Sequence, residues 1–332
     1  MSQKLKSVEE MPGSYGLPYF GDVIRLFRDQ ELYYWEQYWR YGSIFKTQIL
    51  GNKLAYLIGP EANKLVLIDQ AAYMSSRQGW FFLEPLFGNN ILLQDGEEHR
   101  VKRRLMYPAF HGKAIATYFD TIKNIVKDFL LDWGDRGTIE LTSDFHKLTL
   151  IIATRLFMGS QTDTQVEQTS QWFTQLFESR LALLKWDLPF MLHGRGQNAR
   201  HKLVAFLRKI IAQRLSNGNL HQSKDVLGLL LAAKDEDGNK LSETQVINEA
   251  LLLLFAGHET TASLLSWVMF ELGNHPEWRV RLREEQALVV GDGELTLSHL
   301  KQFTQLTNVL KEAERLYPSV PAFSRGVRSE ER

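Results

Sequence analysis

The chain has 332 residues, 44% of them hydrophobic, enough to bury a sizeable core. Lys plus Arg equals Asp plus Glu at 39 each, a balance that argues against nucleic acid as the main partner. There is no cysteine, which excludes disulfides, zinc thiolates and a cysteine nucleophile.

Met1 to Glu10 contains no apolar segment, and no later run reaches about 18 apolar residues without a charge. Neither a signal peptide nor a membrane span is therefore expected, and a cytoplasmic location is the default. Pro12 to Gly21 is turn-rich, with three glycines and two prolines. Asp22 to Arg40 reads as helix. Ile44 to Leu50 and Leu54 to Ile58 read as strands of a β-hairpin (about 44–58), separated by Gly51-Asn52-Lys53. Glu61 to Asp69 returns to helix. Ser75 to Gln94 is loop-like yet apolar, with Trp80, Phe81, Phe82 and Phe87. It could cover the core or wall an apolar pocket.

Apolar spacings of three and four predict helices over Tyr118–Trp133, Leu141–Met158, Val166–Lys185, Gly196–Leu215 and Lys224–Ala233. Gly134–Gly137 and Asp235–Asn239 read as turns. A central helix, about 243–272, opens on the capping box Ser242-Glu243-Thr244-Gln245 and stops at Gly273 and Pro276. It would span about 45 Å, and, being apolar on nearly all sides, it should run through the interior. With no repeat and no linker, one mainly α domain with a small β part is expected over residues 1–332.

Ala256-Gly257-His258-Glu259-Thr260-Thr261 interrupts that apolar helix. A buried carboxylate is costly unless partnered, so Glu259 needs an explanation. Thr260 could simply bond back to the Ala256 carbonyl. Alternatively, the helix is distorted at Gly257 and Glu259 and Thr260 relay protons to a ligand or water. His258 lies about 100° around the helix from Glu259 and reads as a packing residue. Glu312 and Arg315 are spaced for a helical salt bridge. His99 and Arg103 share a helix face and could grip a carboxylate or phosphate, although a solvated charged face is the usual fate of such a run.

Taken together, these residues resemble a cytochrome P450. The hexapeptide 256–261 is similar to the family's (A/G)-G-x-(D/E)-T-(T/S) motif, and Glu312-Ala313-Glu314-Arg315 to its E-x-x-R. The likeness looks closest to cyanobacterial members related to animal retinoic-acid hydroxylases. It implies the P450 fold and a haem cofactor, with one oxygen atom of O2 inserted into an apolar small molecule and electrons drawn from a ferredoxin or reductase. It also implies that Glu259 and Thr260 supply protons for O–O cleavage and that Ala256 and Gly257 lie against haem, Gly257 widening the helix. His99, Arg103 and Arg325 would bond the propionates, Glu312 and Arg315 would form a structural ion pair, and Trp80 to Phe87 would contact substrate. The family's axial cysteine loop has no counterpart here, so no residue is assigned to the metal. A fragment, inactive alone, is expected. The alternatives are a non-catalytic helical binder of apolar ligands and a half-protein completed by a C-terminal partner.

Overall fold

The computed structural model describes residues 8–134, 137–159, 162–182, 186–218, 225–235 and 238–328. Parts of several expected features lie outside these residues: the start of the N-terminal stretch, the centres of the turns 134–137 and 235–239, the end of the helix 166–185, Lys224, and the last four residues. The described chain forms two compact units, one of residues 8–74 with 327 and 328, the other of residues 75–326.

The first unit contains α1 (Val23–Arg28), α2 (Gln30–Tyr41), the strands β1 (Ile44–Ile49) and β2 (Asn52–Leu57), and α3 (Pro60–Lys64), which continues as a π-helical turn, Leu65–Asp69. The expected single helix 22–40 is broken at Asp29. This residue is extended and its carboxylate accepts from the Leu32 N–H at 2.9 Å, so it caps α2 instead of continuing α1. The hairpin turns on two residues rather than three, because Ile49 pairs with Asn52. Leu50 (φ 47°) and Gly51 (φ 82°) supply the two positive φ angles that such a turn needs. A Cβ on Gly21 would sit 1.7 Å from the Gln48 carbonyl oxygen, so the turn-rich entry closes on β1 only with glycine there.

The second unit is helical: α4 (Ser76–Trp80), α5 (Glu84–Phe87), α6 (Gly96–Met106), α7 (Gly112–Trp133), α8 (Leu141–Phe157), α9 (Asp163–Glu178), α10 (Leu192–Ser216), α11 (Val226–Ala232), α12 (Glu243–Asn274), α13 (Pro276–Val290), α14 (Leu297–Leu300) and α15 (Thr304–Leu316). Its core is built from the first half of α12 (Val246, Ala250, Leu251, Leu254) against Phe173, Leu203, Leu207, Ile211 and Leu227. Each of the larger of these side chains contributes roughly 1.5–3 kcal/mol by leaving water. The capping box at Ser242 forms as expected, with both reciprocal bonds present. Asp225 caps α11 and takes a bidentate bond from Arg214 at 2.7 Å, tying the end of α10 to the start of α11.

One expectation about α12 needs correction. It is not interior throughout: beyond Phe255 one face, with His258, Ala262 and Val268, stays buried, while Ala256 and Thr261 are exposed and Trp267 and Phe270 show large apolar surface. By length and composition it is also apolar enough to cross a membrane, its few charges notwithstanding. Its first half, however, is packed into the helical core.

Candidate active site

α12 and α8 pack closely along one another. No π-turn or break interrupts α12 at Gly257, so the expected distortion is absent. Gly257 serves a different need: a Cβ there would lie 2.7 Å from the Phe157 ring of α8, so the glycine lets the helices approach. The Thr260 hydroxyl donates to the Ala256 carbonyl at 2.6 Å. Its proton is thereby committed, and its free lone pairs are left to accept.

Glu259 is not the fully buried acid the sequence suggests; its side chain is 31% exposed. The carboxylate that is fully enclosed in α12 is Glu249, 2.9 Å from the equally buried Lys102 ammonium of α6 and also accepting from the Ile91 N–H. Burial pushes the Glu249 carboxyl up, while Lys102 and the Ile91 N–H pull it back. In the basic run 99–104, Lys102 therefore points inward as an anchor and its neighbours are left to face out.

Two imidazoles flank Glu259. His146 of α8 places Nε2 at 3.7 Å from one carboxylate oxygen, and His258 places Nδ1 at 3.4 Å from the other. His258 is buried, edge-on to Phe173 and to His146. Burial first, then the charge of His146, pushes it down to about 4, so it is neutral at physiological pH. Arg180, stacked over Phe177, acts on Glu259 electrostatically. His258 does pack, as the sequence suggests, but it also faces the carboxylate. His146, Arg180 and Ser319 were not legible as site residues, since nothing in the sequence brings α8, the end of α9 and the segment after α15 beside residues 256–261.

On another side of α12, Thr260, Thr261 and Leu264 line a depression of about 380 Å³ with Glu314, Pro318, Ser319 and Val320. The Ser319 hydroxyl donates to the Thr260 carbonyl at 3.0 Å. The Tyr317 ring stacks on Trp267 with centroids 4.0 Å apart, and its hydroxyl bonds Glu271. Together these contacts dock the end of α15 on α12. Glu312 and Arg315 form a bidentate pair, both bonds 2.7 Å, on an exposed face of α15; Arg315 holds the Glu312 carboxyl below its ordinary value.

His99, Arg103 and Arg325 are brought together. Burial first, then the charge of Arg103, push His99 down; Asp95 pulls it back, and Arg325 adds a smaller push. Among the described residues neither arginine makes an ion pair. Segment 324–325 passes so close to α4 that a Cβ on Gly79 would sit 2.2 Å from the Ser324 carbonyl oxygen. The aromatic loop is divided: Trp80 contacts Phe82, and Phe81 and Phe82 are both more than half exposed. Phe87 is fully buried and stacked on Phe255, a core position.

These residues fit two parts of a haem. The unpaired guanidinium groups suit its carboxylate edge, and the open Ala256–Thr260 side of α12 suits one apolar face. The axial thiolate is outside the donor set, because the chain contains no cysteine. Among the described residues no three His, Asp or Glu side chains cluster to hold a metal.

The described residues thus present a group of basic side chains, an open helix face and a carboxyl–hydroxyl pair on α12. The sequence matches the cytochrome P450 family model over residues 11–330. It is 34% identical over 319 residues to the putative cytochrome P450 120 of Synechocystis sp., covering 95% of this chain and 70% of that protein. It is 30% identical over 281 residues to abscisic acid 8'-hydroxylase 2 of Arabidopsis thaliana, covering 83% and 57%. The structure of the cyanobacterial CYP120A1 with retinoic acid bound superposes with a TM-score of 0.82 at 32% identity, covering 97% of this chain and 73% of that one. The chain belongs to the cytochrome P450 family, whose members are haem-dependent monooxygenases.

Proposed function

We propose that these 332 residues carry the substrate-facing and oxygen-facing side of a haem monooxygenase that acts on an apolar small molecule. The observation that carries this reading is the co-location on α12 of Glu259, with its two imidazoles, and Thr260, whose hydroxyl is fixed as an acceptor beside an open depression. Arg103, Arg325 and His99 hold the haem carboxylates. Ala256 keeps the open helix face low enough for the disc, Gly257 lets α8 approach α12, and Glu312–Arg315 braces the exposed face of α15. When bound, haem supplies oxygen activation and one-electron chemistry. Glu259 gains and gives up a proton at its carboxylate, and Thr260 accepts a hydrogen bond at its hydroxyl oxygen.

The retinoic acid bound to the cyanobacterial relative and the exposed Phe81 and Phe82 support an isoprenoid-like or fatty substrate. Electrons come from a ferredoxin or reductase, and the protein works in the cytoplasm as one domain. Because the chain contains no cysteine, the thiolate comes from polypeptide beyond these residues, and the chain alone is inactive. Haem titration tests both parts. The chain alone is expected to take up haem without a thiolate-type carbon-monoxide band, and a cysteine-bearing partner segment is expected to restore that band. Failure to take up haem in either form would leave the non-catalytic apolar binder as the better reading.

A further inference from the structure

The two imidazoles beside Glu259 are not equivalent. His146 is about a third exposed, and its Nδ1 lies 2.7 Å from the Thr142 carbonyl. A carbonyl only accepts, so the neutral ring carries its proton on Nδ1 and presents a bare Nε2 towards Glu259. His258 is 6% exposed, and among the described residues its Nδ1 has no hydrogen-bond partner although it lies 3.4 Å from the other carboxylate oxygen. Its ring also bonds the His146 backbone. Among the described residues the remaining charged groups facing this cluster are Arg180, which acts on Glu259, and Glu178, which acts on Arg180. One ring is therefore partly open to solvent and the other is sealed in the core, with the carboxylate between them.

We propose that His146 is the proton-supplying partner of Glu259, acting through that residue and touching neither substrate nor cofactor. The reading rests on the proton-handling role given to Glu259 above. The neutral His146 ring takes a proton from solvent at Nε2. It passes that proton to the Glu259 carboxylate and returns to its Nδ1–H form, so one proton is transferred and no electrons move. The orphan Nδ1 of His258 accepts from the resulting carboxylic acid and holds it inward. The separations of 3.7 and 3.4 Å are longer than direct bonds. A small carboxylate rotation closes either one, and a bridging water does the same.

The test uses the full 332-residue chain with 15N-labelled histidine, without haem. Long-range 1H–15N spectra at neutral pH are assigned with His146→Gln and His258→Gln. The expected result is an Nδ1–H tautomer for His146. Glu259→Gln is expected to move the His146 Nε2 and His258 Nδ1 resonances and to leave the other seven of the nine histidines in place, which also reports that the fold is intact. The opposite tautomer, or a His146 signal indifferent to Glu259→Gln, overturns the proposal. In the haem-loaded enzyme completed with its cysteine segment, His146→Gln is expected to lower kcat by roughly 100-fold with KM unchanged; a change confined to KM overturns it equally. Loss of haem uptake with the histidine coupling intact would sink the monooxygenase reading and leave the His146–Glu259 contact standing.

Discussion

His258 ties acid stability to the site. Its folded-state value of about 4 lies below the ordinary 6.5, because burial disfavours the imidazolium. A group depressed in this way contributes stability that is complete above pH 6.5 and is lost as pH falls towards 4. The steepest slope is about 1.4 kcal/mol per pH unit, and the total is on the order of 3 kcal/mol. Urea unfolding at pH 7 and pH 4.5 is expected to show His258→Phe losing less stability over that interval than the parent chain; equal losses would assign the acid limb to other groups. The buried Lys102–Glu249 pair supplies a second residue-scale prediction. Removing one partner strands a charge in the core, so Lys102→Met is expected to cost about 3–5 kcal/mol. Lys102→Met with Glu249→Leu is expected to recover much of it, as read from denaturation midpoints. The pair also shows what sequence reading could not supply. Glu249 and Glu259 both interrupt the apolar run of one helix, and only the packing of α6 against α12 shows which acid is sealed in the core.

At the scale of elements, the α8–α12 contact depends on Gly257. Adding a methyl group there meets the Phe157 ring at 2.7 Å, and an overpacked core position costs about 1–3 kcal/mol. Gly257→Ala is expected to lower stability by that amount, and Gly257→Ala with Phe157→Leu to regain part of it. Additive losses in a double-mutant cycle would show that the two residues are not in contact. The ends of α12 were legible because a capping box and a Gly/Pro stop are local signals, and the long helices were legible because their apolar period is local too. The break at Asp29 was missed because its capping bond competes with helix continuation only once Leu32 is in place. The hairpin turn starts one residue earlier than Gly51 suggests and is one residue shorter, because Leu50, a poor residue for positive φ, occupies it. Phe87 could not be separated from Phe81 and Phe82 by composition, since only its stacking on Phe255 marks it as core.

At the scale of the whole chain, formal charge is zero, so no long-range field draws an anion in. Any affinity for a dianionic cofactor therefore resides in the local group of Arg103, Arg325 and His99, in which neither guanidinium has an ion-pair partner among the described residues. Such local attraction is screenable: the Debye length shrinks from about 30 Å at 0.01 M salt to about 3 Å at 1 M. A ligand that binds only the folded chain stabilises it by about 2.7 kcal/mol at 100 times its Kd. Haem added at fixed excess is accordingly expected to raise the unfolding midpoint at low salt and to raise it less at 1 M. Arg103→Gln with Arg325→Gln is expected to abolish most of the low-salt gain; because Arg325 is half-buried, bonded to the Ser324 carbonyl and set over Phe323, the exposed Arg103→Gln alone is the variant expected to leave the cofactor-free stability within about 0.5 kcal/mol of the parent. A haem-induced shift that ignores both salt and these two arginines would place the cofactor against the apolar face of α12 alone, and the basic edge would then have no part in holding it.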